Sequence, residues 1–264
     1  MSIYANSHRP KVTKTDVYLQ VISALMLRDM RTRFAGSMWG YVAQVLWPVA
    51  HVVLITSIMA LRGIPNPLGD SALIFIASAA VPVLASQYIA REMMKGTQMN
   101  KPLTYYPQVK PFDVVMSRSV VEIIGSFIGL FVIAGFLVAC GADPLPVDIV
   151  PALIGYLLAL FHGIALGMIN VSIVAFFPGW QIGFILVQIL LYLSAGVMFV
   201  PSYLPDQIYS LLKYLPLVSI VESVRLGYYP GFSVEVDYLY VFLVLIVMLN
   251  VGLLTERYVV RALN

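Results

Sequence analysis

Long apolar stretches dominate the sequence, and short polar segments separate them. Hydrocarbon offers no hydrogen-bond partner to the backbone, so a chain that crosses a membrane in such stretches does so as α-helices. A crossing takes about 20 apolar residues. Six stretches approach this length, at roughly 39–61, 72–90, 114–140, 150–176, 183–200 and 238–256. We therefore expect an all-α polytopic membrane protein with six transmembrane helices.

The charge content excludes a soluble protein of this size. Only 11% of the 264 residues are charged, whereas 60% are hydrophobic. A soluble domain carries about 25% charged residues because its surface must remain hydrated. The length suits one helical bundle without a sizeable soluble domain, so we treat residues 1–264 as a single transmembrane domain.

An amphipathic helix is expected before the first span. The apolar run Val17–Leu27 is too short to cross a membrane, and the basic run Arg28–Arg33 closes it. Its apolar residues recur near helical spacing with polar groups between them, which is typical of a helix lying in the membrane surface.

Three prolines interrupt the segment 201–237, namely Pro201, Pro205 and Pro216. Its two apolar pieces are each too short to span. We interpret the segment as a re-entrant helical hairpin that dips into the outer leaflet, with a plain extracytoplasmic loop as the alternative.

The distribution of Lys and Arg predicts the orientation. With the N-terminus inside, 13 of the 16 basic residues fall in cytoplasmic segments, and only Arg62, Lys213 and Arg225 lie outside. The positive-inside rule then places both termini in the cytoplasm. The domain divides into a cytoplasmic tail and interface helix (1–38), five spans (39–200), the re-entrant region (201–237), and the sixth span with the C-terminal tail (238–264).

Motifs for catalysis or nucleotide binding are missing from the sequence. It contains no G-x-x-x-x-G-K-[ST] motif and no Gly-Lys dipeptide, which excludes a P-loop. His8, His51 and His162 match no metal-ligand spacing. We expect no catalytic residue, no metal site and no bound cofactor; the histidines within spans suit core packing, a helix–helix hydrogen bond or a polar path.

Polar residues within the spans are costly and therefore informative. Arg118 and Glu122 stand four residues apart, and Glu222 and Arg225 stand three apart. These spacings allow pairing on one helix face. The alternative is a polar wall that tolerates a hydrated substrate.

Two further patterns each allow two interpretations. Trp39, Tyr41 and Trp47 at the start of the first span suit either an interfacial aromatic belt or stacking on sugar rings. Gly36–Gly40, Gly125–Gly129 and Gly163–Gly167 have G-x-x-x-G spacing, which favours close helix packing within the bundle or at a dimer face.

Several motifs in chain order resemble the ABC-2 type permeases, and among them the KpsM-type inner-membrane subunit of capsular polysaccharide exporters. They are RDMRTRF (28–34), YPQVKPFD (106–113), FPGW (177–180), SAGVMFVPSYLP (194–205) and YLPLVSIVESVRLGYYPGF (214–232). Each motif is weak alone, but together they cover nearly the whole chain.

The resemblance implies a permease homodimer in the bacterial inner membrane, bound to two ABC ATPase subunits that use ATP and Mg. It implies a lipid-linked, acidic polysaccharide as substrate, transferred to periplasmic and outer-membrane export proteins, with membrane lipids around the permease and no nucleic acid. It also implies a coupling helix within the basic loop 91–112, which gives Arg91, Lys95, Lys101, Tyr105 and Lys110 as residues that contact the ATPase.

Arg28, Arg31 and Arg33 have two interpretations. Basic residues near a membrane surface gain about 1 kcal/mol each from anionic charge, so these three suit the attraction of an anionic glycolipid head. Ordinary positive-inside anchoring explains them equally.

Other functions remain open from the sequence. A related permease exports O-antigen, teichoic acid, or a small lipid or drug. A membrane-embedded transferase of lipid-linked sugars needs paired carboxylates at a membrane face, and Asp143 and Asp148 are instead separated by the prolines of a turn. An ion-coupled transporter needs a carboxylate near the bilayer centre, and only Glu122 comes close.

Overall fold

The computed structural model describes residues 13–32, 38–99 and 109–260, and all of its regular structure is helical. Within these ranges nine α-helices follow one another: α1 Lys14–Thr32, α2 Met38–Leu61, α3 Ala72–Met99, α4 Pro111–Ala139, α5 Ile149–Phe176, α6 Trp180–Ser194, α7 Asp206–Leu212, α8 Pro216–Tyr228 and α9 Tyr238–Thr255. A 3-10 turn at Pro201–Tyr203 precedes α7, and a π-helical turn at Glu256–Val260 extends α9.

Four helical segments within the described ranges are long and apolar enough to cross a membrane: Ala72–Gly96, Phe112–Ala139, Ile149–Phe176 and Tyr238–Tyr258. Two shorter apolar segments, Val45–Leu61 and Trp180–Ser194, lie in α2 and α6. The prediction of an all-α protein with membrane-spanning helices is confirmed, with four candidate spans in the described ranges; the full number of six transmembrane helices stays a prediction.

The helix ends follow from local chemistry. The carboxylate of Asp148 accepts a hydrogen bond from the Val150 N–H at the start of α5, and Asp237 accepts one from the Tyr240 N–H at the start of α9. Side-chain oxygens at these positions satisfy amides that the first turn leaves open. Gly196 follows α6 with φ +79, a left-handed conformation that glycine adopts without strain.

Helix α3 forms the centre of the bundle and packs against α2, α4, α5 and α8. Its close contact with α5 depends on Gly163, where an added Cβ would lie 2.7 Å from the backbone oxygen of Ser86. Gly167 similarly faces Ala90 and Met93 of α3. The Gly163–Gly167 pair therefore serves packing within the bundle, one of its two predicted roles.

The other glycine pairs differ from this one. Gly125 has no atom within 4 Å of an added Cβ, and the nearest to Gly129 is Pro48 Cγ at 3.8 Å. Gly36 lies outside the described residues, so the pair Gly36–Gly40 has no structural description. The dimer-face interpretation of Gly125–Gly129 stays a prediction.

Two boundaries differ from the sequence prediction. The segment 91–112 was expected to be an inner loop with at most short helices, but α3 continues through Met99. No proline interrupts residues 91–101, and Glu92 pairs with Lys95 along the helix. The fifth span was placed at 183–200, whereas α6 covers Trp180–Ser194 and Gly196 ends its regular course.

The N-terminal helix and the 201–237 segment are helical where predicted. The Lys14–Thr32 helix packs against α4. Helix α7 begins directly after Pro205, and α8 begins at Pro216, so these prolines mark helix starts as expected. The position of either element relative to the membrane stays a prediction.

Candidate functional site

A buried ion-pair network joins α1, α3 and α4. The guanidinium of Arg118 in α4 places Nη2 2.8 Å from Asp29 Oδ1 in α1 and Nη1 3.5 Å from Glu92 Oε2 in α3. The side chains of Arg118 and Asp29 are only 4% and 7% exposed. Charges buried to this extent persist only when they are paired, so the network fixes the three helices relative to one another.

Two further basic residues surround the buried network. Lys95 Nζ lies 2.8 Å from Glu92 Oε1, and Arg91 Nε lies 3.4 Å from the same oxygen. Gly96 provides space for the guanidinium, since an added Cβ would approach Arg118 Cδ to 3.0 Å. Glu92 is thus the carboxylate on which three basic side chains converge.

The predicted pair Arg118–Glu122 is corrected by this geometry. Within the described ranges, the ion pairs of Arg118 are with Asp29 and Glu92 rather than with Glu122. The spacing of four residues permits contact, but α1 and α3 bring carboxylates to the guanidinium from neighbouring helices. Both Arg118 and Glu122 are buried.

Helix α4 begins with a reciprocal cap between Lys110 and Asp113. The carboxylate of Asp113 accepts a hydrogen bond of 2.9 Å from the Lys110 N–H, and the Asp113 N–H donates to the Lys110 carbonyl. Lys110 itself is exposed. Lys101 and Tyr105, also predicted to contact the ATPase, lie outside the described residues.

A groove of about 310 Å³ opens between α2, α3 and α6, and we call it the α2–α6 groove. Its polar and aromatic lining residues are Trp47, His51, Gln87, Tyr88, Arg91, Gln188 and Tyr192, and its apolar ones are Leu84, Ile185, Ile189 and Leu193. The groove begins one residue from Glu92 and extends along α3 away from the ion-pair network.

Hydrogen bonds between helices hold the groove walls. His51 Nε2 lies 2.6 Å from the Tyr192 hydroxyl, which joins α2 to α6. The Gln87 side chain donates to the Gln188 carbonyl at 2.8 Å, and the Gln188 side chain donates to the Gln87 carbonyl at 3.1 Å. This reciprocal pair joins α3 to α6 and fixes both amides at the groove floor.

The groove combines the groups that a sugar polymer requires. Aromatic rings offer apolar faces, whereas the tyrosine hydroxyls, the amides and the imidazole offer hydrogen-bond partners. A few fixed polar groups among apolar walls are typical of ligand sites. The α2–α6 groove is therefore our candidate substrate path.

Only part of the predicted substrate path lies in this groove. Trp47 lines it and is 51% exposed, whereas Trp39 is 81% exposed and is not among the lining residues. Arg28 and Arg31 are exposed on α1. The side chain of Tyr41 is not described, and Arg33 lies outside the described residues. Arg91 lines the groove, and its predicted contact with the ATPase stays a prediction.

The second predicted pair, Glu222 and Arg225, lies in α8. Arg225 is fully buried and donates hydrogen bonds of 2.8 Å to the carbonyls of Gly196 and Phe199. Its guanidinium also lies 4.3 Å from the ring centroid of Phe75 in α3. Glu222 accepts a hydrogen bond of 3.2 Å from the Tyr209 hydroxyl, so each residue has its main partner elsewhere.

This arrangement affects the charge of Glu222, which lies outside the candidate spans. Burial raises the pKa of its carboxyl to about 7, because the charged form loses hydration. The Tyr209 hydroxyl, Ser202 and the positive charge of Arg225 oppose this rise. Arg225 anchors α8 to the segment after α6, and Glu222 joins α8 to α7.

Sequence reasoning missed Asp29, Glu92 and Gln87, whereas Gln188 was noted as a polar residue deep in its span. Asp29 stands within a basic run and Glu92 within a segment expected to be a loop, so neither suggested a buried partner. Gln87 and Gln188 lie in predicted spans, where an uncharged amide signals an interhelical hydrogen bond. That signal was available, but the identity of the partner helix was not.

Comparison with known proteins gives a consistent result. No family model matches the chain. It is 24% identical to the polysialic acid transport protein KpsM of Escherichia coli, over 92% of this chain and 95% of that protein. It is 28% identical to the capsule polysaccharide export inner-membrane protein CtrC of Neisseria meningitidis serogroup B, over 80% of this chain and 79% of that protein. It is also 26% identical to the capsule polysaccharide export inner-membrane protein BexB of Haemophilus influenzae, over 80% of this chain and 79% of that protein.

One of these relatives is named for the transport of polysialic acid and the other two for the export of capsule polysaccharide, and the matches extend along most of both chains. Over at least 80% of its length the chain is therefore similar to inner-membrane proteins of capsule polysaccharide export, which confirms the family resemblance drawn from its sequence.

Proposed function

We propose that this chain is the transmembrane permease subunit of an ATP-binding-cassette exporter that moves capsular polysaccharide across the bacterial inner membrane. The similarity to KpsM, which extends over 92% of the chain, carries the proposal. The apolar helices and the groove with sugar-compatible groups support it. The substrate is an acidic, lipid-linked polymer.

In this proposal the chain crosses the membrane six times, with α2 to α6 and α9 as the spans. Both termini are cytoplasmic, as the distribution of basic residues requires. Helices α7 and α8 form the re-entrant hairpin of the outer leaflet. The burial of Glu222 and Arg225 supports this, because non-spanning backbone at membrane depth must be surrounded by protein.

Two copies of the chain form the working permease. The α2–α6 groove is open on one side, and exposed apolar side chains flank it, including Leu46 and Trp47 on α2 and Leu186 and Leu190 on α6. A second copy at this face converts two open grooves into one enclosed path. Periplasmic and outer-membrane export proteins receive the polymer on the other side.

ATP and Mg are bound by two copies of a separate ATPase, and this chain binds neither. The ATPase contacts α1 and the segment between α3 and α4. The ion-pair network transmits the resulting movement, because Asp29, Glu92 and Arg118 join α1 to the ends of both helices that flank the segment. The helices then move between two packed arrangements under the control of nucleotide.

Co-purification tests this function directly. The tagged full-length chain, extracted from its own host in mild detergent, is expected to bring down a P-loop ATPase in equal molar amount. Deletion of the gene is expected to leave polymer in the cytoplasm, and the wild-type gene restores export. ATP hydrolysis by the purified chain alone, or normal export in the deletion strain, would contradict the proposal.

A further inference from the structure

Arg91 is the charged residue of the α2–α6 groove lining. Its guanidinium carbon lies 4.9 Å from the ring centroid of Tyr88, one turn before it on α3. Its Nε lies 3.4 Å from Glu92 Oε1, and its side chain is 37% exposed. Tyr88 and Glu92 thus hold the guanidinium of Arg91 in place, while the Arg91 side chain still lines the groove.

The Glu92 carboxylate does not fully neutralise the positive charge of Arg91. The carboxylate already receives Lys95 Nζ at 2.8 Å and Arg118 Nη1 at 3.5 Å. The buried Nε of Arg91 donates no hydrogen bond within the part of the chain that the structure describes. Three positive groups therefore share the Glu92 carboxylate, so that carboxylate compensates only part of the charge of the two exposed ones, Arg91 and Lys95.

We propose, building on the function proposed above, that Arg91 binds the carboxylates of acidic sugar units in the groove. A guanidinium forms two parallel hydrogen bonds with a carboxylate, and stacking on Tyr88 pre-organises it for this contact. Trp47 and Tyr192 in the same groove supply the aromatic and hydroxyl contacts for the sugar rings. Arg91 then makes the path selective for acidic over neutral polymers.

Lys95 provides a matched control. It lies four residues after Arg91, pairs with the same carboxylate oxygen and is equally exposed at 36%, but it does not line the groove. Replacing either residue by Gln removes one positive charge beside Glu92. Only the replacement of Arg91 removes a binding group from the groove.

The test uses the full-length chain in nanodiscs of zwitterionic lipid, with fluorescence of Trp47 as the signal. The probes are an oligomer of glucuronic acid, an oligomer of glucose of equal length, and inorganic phosphate. The acidic oligomer is expected to change the fluorescence, and the Trp47→Phe variant identifies the responding residue by losing the change. Arg91→Gln is expected to weaken this binding about tenfold or more, since a charge-assisted contact is lost. Lys95→Gln is expected to leave it unchanged.

Four results would overturn the inference. They are equal affinity for the acidic and neutral oligomers, a response to phosphate instead of the acidic oligomer, no effect of Arg91→Gln, and equal weakening by Lys95→Gln. If Arg91→Gln is unstable, Arg91→Lys tests the contact instead, because it keeps the charge and the fold. Arg91→Lys is expected to bind the acidic oligomer with intermediate affinity. Co-purification of the ATPase with the Arg91→Gln variant separates this inference from the proposed exporter function. Co-purification depends on assembly of the exporter and not on the binding of a carboxylate at Arg91.

Discussion

Arg118 and Asp29 form a 2.8 Å ion pair between α4 and α1, and both side chains are almost inaccessible to solvent. An N-terminal helix that precedes the spans is therefore fixed to the start of a membrane helix by charge, in addition to apolar packing. This ion pair makes α1 a structural part of the bundle.

Removal of Arg118 is expected to destabilise the protein strongly. Arg118→Met leaves Asp29 and Glu92 buried without their common partner, which costs about 3–5 kcal/mol for a buried pair. We expect a lower Tm of the purified chain in detergent and a loss of export. Arg62→Gln serves as control, since Arg62 is exposed. In the double variant Asp29→Asn with Arg118→Met, the losses are expected to be less than additive; full additivity would show that the two side chains act independently.

The cap at the start of α4 is expected to matter for coupling. Asp113→Ala removes the acceptor of the Lys110 N–H and costs about 1 kcal/mol at the helix start. We expect membrane insertion to persist while ATP hydrolysis by the assembled complex no longer responds to substrate. Asp113→Asn retains an acceptor oxygen and is expected to restore the response. If both variants behave like wild type, the cap has no part in coupling.

Gly163 is expected to tolerate no side chain. Gly163→Ala places a Cβ 2.7 Å from the Ser86 backbone oxygen and 2.9 Å from Ile89 Cβ, so α3 and α5 must separate. Overpacking of this kind costs about 1–3 kcal/mol. Gly135→Ala, with no atom within 4 Å, is the matched control and is expected to keep or raise Tm through its better helix propensity. An equal Tm for the two variants would contradict the tight α3–α5 contact.

Glu222 is expected to give the protein a pH-dependent stability. Its folded pKa of about 7 lies above the ordinary value of 4.5, so the folded state binds the proton more tightly than the unfolded state. Stability from this group is therefore greatest below pH 4.5 and declines as the pH rises towards 7, above which the loss is constant. In Glu222→Gln this contribution is absent. The Tm of both proteins is measured from pH 5 to 8, and the Tm of the wild type is expected to fall relative to that of the variant as the pH rises. A constant difference in Tm would refute the raised pKa of Glu222.

Neutralising Arg28, Arg31 and Arg33 together is expected to reduce export more than membrane insertion. This expectation rests on one of their two predicted roles, the attraction of an anionic glycolipid head at the cytoplasmic surface. The exposed positions of Arg28 and Arg31 are compatible with this role. Polymer export and the membrane-inserted amount of the chain are measured in parallel. Equal loss of both would favour simple anchoring by positive charge.

The fold was predictable from the sequence where it depends on the length of apolar runs and on the positions of prolines. Long apolar runs predicted the bundle, and Pro205 and Pro216 predicted the starts of α7 and α8, because both signals act over a few residues. The helical extension from Arg91 to Met99 was missed, because this polar run contains neither of these two signals. A polar run between spans resembles a loop, and it is helical here because Glu92 pairs with Lys95 in the same run and with Arg118 of α4.

The candidate site was less predictable because it depends on contacts between distant segments. Trp47 was predicted to belong to an interfacial belt or to stack on sugar rings, but local spacing did not show that its neighbours in the groove come from α3 and α6. Tyr192 lies 141 positions from its partner His51, and no local spacing connects them. Arg118 was recognised as an informative residue, and its helix neighbour Glu122 was the wrong choice of ion-pair partner.

The anchoring of Arg225 has an evolutionary consequence. Its acceptors are the carbonyls of Gly196 and Phe199, and every amino acid supplies a carbonyl. The turn after α6 can thus exchange the phenyl ring of Phe199 for another side chain without losing the anchor, whereas Arg225 itself has no substitute with the same reach and fork of donors. Homologous exporters that diverge in this turn to suit different polymers can therefore retain one arginine and one backbone path.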